Sequence, residues 1–230
     1  MSEQRWAPLL TLDPDLGLLL PDERREEAAR DLTVNLRRFN APTGLERTAP
    51  SHLGLLVVDG VLARDVAVPG SVATELLGTG DLIRPWTMEE PVEILETEVR
   101  WSPLTEVTVA LLDRRAAHEL CSYPEIYAAL MDRLSQRAAR LGTTQAIAQM
   151  TRVDRRLLAL FRHLAERWGR MSGEGVQVPL RLSHRLLGQL VGARRPTISA
   201  ALADLARTGE LVRRQDSTWL IRELEPALAA

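Results

Sequence analysis

The pattern of apolar and polar positions changes its period along the chain. Between His52 and Leu112 the apolar residues come in short, β-branched runs broken by Gly, Pro and Asp-Gly. The stretch LGLLVVDGVLARDVAV divides at Asp59-Gly60. Asp-Gly between two apolar runs predicts a hairpin turn there. Gly70, Gly78 and Gly80 punctuate the next segment, and VEILETEVRWSPLTEVTVALLD predicts two further strands around Ser102-Pro103. Short strands at this spacing predict a small antiparallel barrel or sandwich. Ahead of them, a helix is expected over Asp22 to Phe39, with Pro21 before it and Asn40-Ala41-Pro42 after it.

From Pro124 the period becomes helical. Tyr127, Leu130, Leu134 and Leu141 follow three- and four-residue spacing, with Met131 and Ala138 alongside. A helix from Pro124 to Met150 would be about 40 Å long at the helical rise per residue. Its apolar seam is narrow, which suits pairing with a second copy of the same helix. The other reading is a helix lying on its own barrel. A second helix is expected from Asp154 to Trp168, with Val153, Leu157, Phe161, Leu164 and Trp168 on one face. The segment GRMSGEGVQV reads as a glycine-rich loop that ends it.

The last part has its own rhythm. Ser183 can cap a helix running to Val191, and Gly192 allows a tight turn. Pro196 stands near the start of a next helix, where its missing N–H costs nothing. Ile198, Ala201, Leu202 and Leu205 give that helix an inward face, and Gly209 ends it. ELVRRQDSTWLIRE predicts two short strands about Gln215-Asp216-Ser217. Helix, turn, helix, hairpin is a winged helix-turn-helix, and the small Gly188 suits a close crossing of its helices. The expected fold class is α+β, in three parts: an antiparallel β-roll over 1–122, a dimerisation helix over 123–150 and the winged helix-turn-helix over 151–230.

Charge sharpens this division. The chain of 230 residues has a formal net charge of -2, and all of its basic residues are arginine. From Leu180 to Arg222 there are eight arginines against three acids, a local surplus of +5. One basic module therefore accompanies an acidic body. No apolar run approaches the roughly 20 residues that a membrane span needs. Met1 to Leu10 shows no secretory signal, and the single cysteine, Cys121, excludes an internal disulfide and suits a reducing cytoplasm.

Two adjacent arginines at a helix start are disfavoured by the helix dipole. An anionic partner removes the conflict. In a helix-turn-helix the second helix lies in the major groove with its N-terminal residues at the base edges. Arg194 and Arg195 would stand there, and arginine is the commonest bidentate reader of guanine. Arg213 and Arg214 on the wing are placed for phosphates. The bland alternative is that all four are solvated surface residues.

At these residues the sequence resembles the Crp/Fnr family of bacterial transcription regulators. LSHRLLGQLVGARRPTISAALADLARTGEL has the family's Gly-x-x-x-Gly, then Arg-x-Thr-aliphatic, then Leu and a closing Gly before the wing. The resemblance implies a cyclic nucleotide-binding-like jelly roll at the N-terminus and a cytoplasmic homodimer. It also implies a two-fold related operator in double-stranded DNA, with RNA polymerase as a further partner. Arg195 matches the family's base-reading arginine and Thr197 its phosphate-contacting threonine. Pro196 stands in place of the usual acidic residue, and Ala200 in place of the second common arginine, so a different operator sequence is expected. The candidate DNA-contacting residues are Ser183, Arg194, Arg195, Thr197, Ser199, Arg213 and Arg214. Those for dimerisation are Tyr127, Leu130, Met131, Leu134 and Leu141.

The sensor chemistry of the family is missing from the first domain. Cyclic AMP-binding members use Gly-Glu for the ribose and Arg-Ser/Thr-Ala for the cyclic phosphate; the first domain has no Gly-Glu, and its one Arg-Thr-Ala, Arg47-Thr48-Ala49, stands apart from the GTGDLIRPWTMEE stretch where the pair is expected. No cyclic AMP binding is expected, and no other effector is implied. Arg84 and Arg100 could hold an anion or serve as surface ion-pair partners. Trp86 and Trp101 could line a pocket or pack in the core. One cysteine cannot ligate an iron–sulfur cluster, and neither His52 nor His118 has a recognisable haem context. Glu89, Glu90, Glu93, Glu96 and Glu98 read as a solvated face. No P-loop, paired zinc motif or nucleophile elbow is present, so the expectation is a regulator, not an enzyme, with no cofactor or metal. The competing reading is a small-ligand sensor or adaptor that acts through protein contacts.

Overall fold

The computed structural model describes residues 5–40, 53–85 and 94–222. The chain forms two compact units, Met1–Ala139 and Arg140–Ala230. The division falls inside one long helix, Pro124–Gln149 (α4 in chain order).

The first unit holds two antiparallel sheets. One has five strands in the order β1 (Arg5–Pro8), β2 (Thr33–Phe39), β8 (Val107–Leu112), β3 (Gly54–Asp59), β6 (Leu82–Ile83). The other has β5 (Ser71–Gly78), β4 (Val61–Val68) and β7 (Glu98–Pro103), with β4 in the middle. The five-stranded sheet is covered on both faces. Leu55, Val57, Val107, Val109 and Leu111 face the other sheet, while Leu56, Ala110 and Leu112 face a helical layer. A strand buried on both faces reads as an unbroken apolar run, which is why LLVV and VTVALL look as they do. The helical layer comprises α1 (Leu9–Leu12), α2 (Asp22–Asp31), α3 (Arg114–Leu120) and the start of α4. β1, α1 and α3, only four to seven residues long, are too short to leave an apolar period of their own.

Asp59-Gly60 does not close a hairpin. It carries the chain from β3 in one sheet to β4 in the other. Gly60 has φ +92°, and a Cβ on it would lie 2.2 Å from the carbonyl oxygen of Glu106. Asp-Gly was selected for a tight corner, and local sequence does not say which strand the chain pairs with next. The corner between β7 and β8 lies against it. Leu104 N–H donates to the Val61 carbonyl at 2.8 Å, and Val61 N–H donates to Thr105 Oγ1 at 2.9 Å. The two-residue hairpin is at Pro69-Gly70, where Val68 pairs with Ser71. Pro followed by Gly at positive φ is a type II turn sequence.

The helix expected over Asp22 to Phe39 is half correct. It ends at Asp31, and Thr33–Phe39 is a strand. That strand pairs with β1 on one side and β8 on the other, so two ladders take the backbone groups a helix would have used. Pairing partners far away in sequence override local periodicity.

The second unit is built around α5 (Val153–Trp168), whose Leu157, Phe161 and Leu164 are buried as expected. Phe161 meets Trp219 at 4.8 Å between ring centroids. The expected glycine-rich loop is instead a hairpin, β9 (Arg170–Ser172) and β10 (Gly175–Val178). It completes a four-stranded sheet in the order β11-β12-β10-β9, with β11 (Leu211–Arg213) and β12 (Trp219–Ile221). Its glycines hid a period-two signal in Val176 and Val178, both buried against the core. The remaining helices are α6 (His184–Val191) and α7 (Arg195–Thr208). Among the described residues no helix is long and apolar enough to cross a membrane.

Candidate nucleic-acid interface

The turn between α6 and α7 is specified residue by residue. Ser183 Oγ accepts the amide of Leu186 at 3.2 Å and caps α6. Gly192 takes the left-handed conformation at the end of α6. Ala193 N–H then donates to the Gly188 carbonyl at 2.9 Å. A Cβ on Gly188 would lie 2.5 Å from the carbonyl oxygen of Ala193, so only glycine permits this approach. Arg194 is extended at the N-cap position of α7, with no side-chain cap and no acidic residue in the first turn. The first helical amides thus have no side-chain cap from Arg194, and the dipole favours a negative partner there.

The faces of α7 divide as the sequence predicts. Ile198, Ala201, Leu202 and Leu205 are buried. Arg194, Arg195, Pro196, Thr197, Ser199 and Ala200 are exposed. Arg195 and Ser199 are one turn apart on one face. Ser199 Oγ donates to the Arg195 carbonyl at 3.1 Å and lies 2.9 Å from His184 Nδ1.

The arginines of this unit fall into two groups. Arg152 pairs with Asp154 at 2.6 Å, holding that carboxyl below its ordinary range. Arg155 pairs with Glu210 at 3.2 Å, and Arg207 with Asp204 at 3.6 Å. Arg156 donates to the Val191 and Gly192 carbonyls at the end of α6. The guanidinium groups of Arg181, Arg185, Arg194 and Arg195 have no hydrogen bond or ion pair with any described residue. The wing arginines differ from expectation. Arg214 pairs with Glu174 on the β9–β10 turn at 3.0 Å, and the Arg213 guanidinium lies 5.7 Å from the centre of the Trp219 ring. The wing turn itself is fixed by Asp216, whose carboxylate accepts the amide and hydroxyl of Thr218; these bonds lower its pKa. Arg181, His184 and Arg185, which the sequence did not single out, lie just before and at the start of α6; in a helix-turn-helix the first helix crosses the DNA backbone.

On α4, Tyr127, Met131, Leu134 and Leu141 are 37–41% exposed, an unusual degree for large apolar side chains at regular spacing. Leu130, expected with them, is fully buried in the core of the first unit and is not on this seam.

Inside the β-roll, Glu75, Arg64 and Trp101 form one cross-strand row on β5, β4 and β7. Arg137 from α4 holds the Glu75 carboxylate with two hydrogen bonds, at 2.7 and 2.8 Å. Arg64 stands 3.6 Å from the same carboxylate and 5.8 Å from the centre of the Trp101 ring. Glu75 raises the Arg137 pKa further above its ordinary value. Trp101 is core, one of the two roles left open for it. Arg100 is engaged with Glu98 at 2.7 Å. Arg84, His118 and Cys121 are exposed. Trp86, His52, Glu89, Glu90 and Glu93 lie outside the described residues. Among the described residues no group of His, Cys, Asp and Glu could hold a metal ion.

With this geometry in place, comparison with known proteins is decisive for the second unit. Residues 151–226 match the Crp-like helix-turn-helix domain. The second unit carries a Crp-like helix-turn-helix domain. The chain is 33% identical over 123 residues to the CRP-like cAMP-activated global transcriptional regulator of Mycobacterium tuberculosis, a match covering 53% of this chain and 54% of that protein. It thus spans about half the length of the curated relatives it matches. Solved structures extend the fold likeness to nearly the whole chain. A mutant of CooA from Carboxydothermus hydrogenoformans superposes with TM-score 0.67 at 19% identity, covering 93% of this chain and 92% of that one. A cyclic nucleotide-binding domain containing protein from Listeria monocytogenes gives TM-score 0.67 at 13% identity, covering 92% and 97%. The β-roll, long helix and Crp-like module are thus a shared architecture.

Proposed function

We propose that the protein is a transcriptional regulator that binds a two-fold related operator as a homodimer. The observation that carries this reading is the outer face of α7. Arg194 and Arg195 are exposed at the helix start and unanswered by any described carboxylate, while Arg152, Arg155 and Arg207 of the same unit are paired. Thr197 beside them is exposed and suited to a phosphate. Incubation with fragmented genomic DNA should retain specific fragments. Their affinity should fall steeply with salt, by about 0.9 log unit per tenfold salt for each phosphate contacted. Absence of retention at low salt, or retention indifferent to salt, overturns the reading.

Dimerisation is assigned to the exposed seam Tyr127, Met131, Leu134 and Leu141. Leu134→Glu would bring like charges together along a paired seam, a cost of several kcal/mol. Sedimentation should then show monomer at concentrations where the parent chain is dimeric. An unchanged mass would place the dimer contact elsewhere. The chain works in the cytoplasm beside its DNA, and RNA polymerase is a further partner.

The Mycobacterium relatives are named as cAMP-activated. We assign no such activation here. Support comes from the missing Gly-Glu sequence and from Glu75, whose carboxylate occupies Arg64 and Arg137 inside the roll. Calorimetric titration with cyclic AMP should give no heat of binding; tight binding refutes this assignment.

A further inference from the structure

His184 is hydrogen-bonded to Ser199 on the outer face of α7, and its bonding fixes which ring nitrogen can accept a proton. It is the first residue of α6, immediately after the cap Ser183. Its Nδ1 lies 2.9 Å from Ser199 Oγ. Ser199 has a single hydroxyl proton, and the 3.1 Å bond to the Arg195 carbonyl uses it. The hydroxyl can therefore only accept from His184, so Nδ1 carries a proton in every state that keeps both bonds. Nε2 is left as the titrating atom, and it has no hydrogen-bond partner among the described residues. In the neutral ring Nε2 is an acceptor and repels a phosphate oxygen. In the charged ring it is a donor.

The surroundings make this difference matter. Ser199 lies one turn from Arg195, so His184 borders the face that Arg195 and Thr197 present. The charged groups flanking it are Arg181 and Arg185 in its own segment and Arg195 on α7. From α5, Arg156 points to the opposite end of α6, where it bonds the Val191 and Gly192 carbonyls. Among the described residues no carboxylate is bonded to the ring. A phosphate placed beside the ring favours its charged form.

We propose that His184 is a backbone-phosphate contact for DNA whose Nε2 takes up a proton when DNA binds. This rests on the DNA-binding reading above. It adds that the affinity of the module is linked to pH through one residue per copy. By linkage, binding that takes up protons strengthens as pH falls. The bond to Ser199 gives His184 a second role: it ties the start of α6 to the arginine-bearing turn of α7.

The test uses the full chain with a fragment it retains. Affinity is measured from pH 8 to pH 6 at several salt concentrations, for the parent chain, His184→Asn and His184→Arg. Asn can still donate to Ser199 but does not titrate. The parent chain should bind at least threefold more tightly at pH 6 than at pH 8. Its salt slope should be steeper at pH 6 by about 0.9 for each phosphate that a charged His184 engages. His184→Asn should bind at both pH values with the weak affinity and shallow slope of the parent at pH 8. His184→Arg should show the steep slope at both. Binding whose pH dependence survives in His184→Asn overturns the proton uptake at this residue, with the DNA-binding reading intact. Absence of DNA binding by the parent at every pH overturns that reading itself. Thermal unfolding of the free variants in parallel identifies a folding defect; a variant that fails to fold is replaced by His184→Gln, for which the same pH-independent binding is expected.

Discussion

The interior of the β-roll and the outer face of the helix-turn-helix use the same residue in opposite ways. In the β-roll, the partly buried arginines are answered from within. Arg137 and Arg64 share Glu75, and Arg133 reaches Asp13 at 3.2 Å and Asp15 at 3.7 Å. In the helix-turn-helix, Arg181, Arg185, Arg194 and Arg195 have no such partner among the described residues. An arginine that already has its carboxylate is part of the architecture. On the proposed function, those held out at the start of α7 without one are available to DNA. The net charge of -2 conceals this, because it averages a closed set of ion pairs with an open one.

Breaking the closed set should have the largest effect. Glu75 is 10% exposed and Arg137 17%, so removing the carboxylate strands a guanidinium in a poorly solvated place. Loss of one partner of a buried pair costs about 3–5 kcal/mol. Residual solvent access puts Glu75→Ala near the lower end of that range, about 3 kcal/mol, as a lowered unfolding midpoint in denaturant. Adding Arg137→Ala should restore part of the loss, and a double-mutant cycle over the pair gives the coupling. A midpoint shift too small to measure would mean that the β-roll arginines are as open as those of α7, and the contrast would fail.

The open set predicts the reverse. Arg195→Ala should leave the unfolding midpoint nearly unchanged, because the side chain has no partner within the fold. It should weaken specific operator binding by roughly 1–3 kcal/mol, about fivefold to more than a hundredfold, and relax the choice of base at its position. Unchanged specific affinity would remove the base-reading role from this residue.

How far the sequence speaks follows the same boundary. The helix-turn-helix was legible almost to the residue, since a cap at Ser183, a left-handed turn at Gly192, a close approach at Gly188 and Pro196 in the first turn are all local requirements. The β-roll was legible as a class and wrong in its connections. Asp59-Gly60 marks a turn, but β4 pairs with β5 and β7 while β3 pairs with β6 and β8. That choice depends on partners far along the chain. Thr33–Phe39 was lost for the same reason, and β9–β10 because glycines masked two buried valines. At the site, sequence placed Arg194 and Arg195 correctly on the surface. It could not see that Arg214 has an intramolecular partner in Glu174, because that contact spans 40 residues. Nor could it see that His184 reaches Ser199.

Arg214 is the intermediate case and gives the smallest effect. Its pair with Glu174 is 3.0 Å long, but the side chains are 41% and 60% exposed. Exposed pairs of this kind contribute about 0–1 kcal/mol, so DNA phosphate can compete for the guanidinium at little cost. Arg214→Ala should therefore barely move the unfolding midpoint. If the wing touches the backbone, it should lower the salt slope of DNA binding by about 0.9 for each copy in contact. Glu174→Ala then separates the alternatives, since it releases Arg214 without removing it. Tighter DNA binding in that variant means that the carboxylate was holding the wing arginine back from phosphate. Identical affinity and slope in both variants would assign Arg214 to the wing's own structure, leaving recognition to the arginines that have no carboxylate of their own.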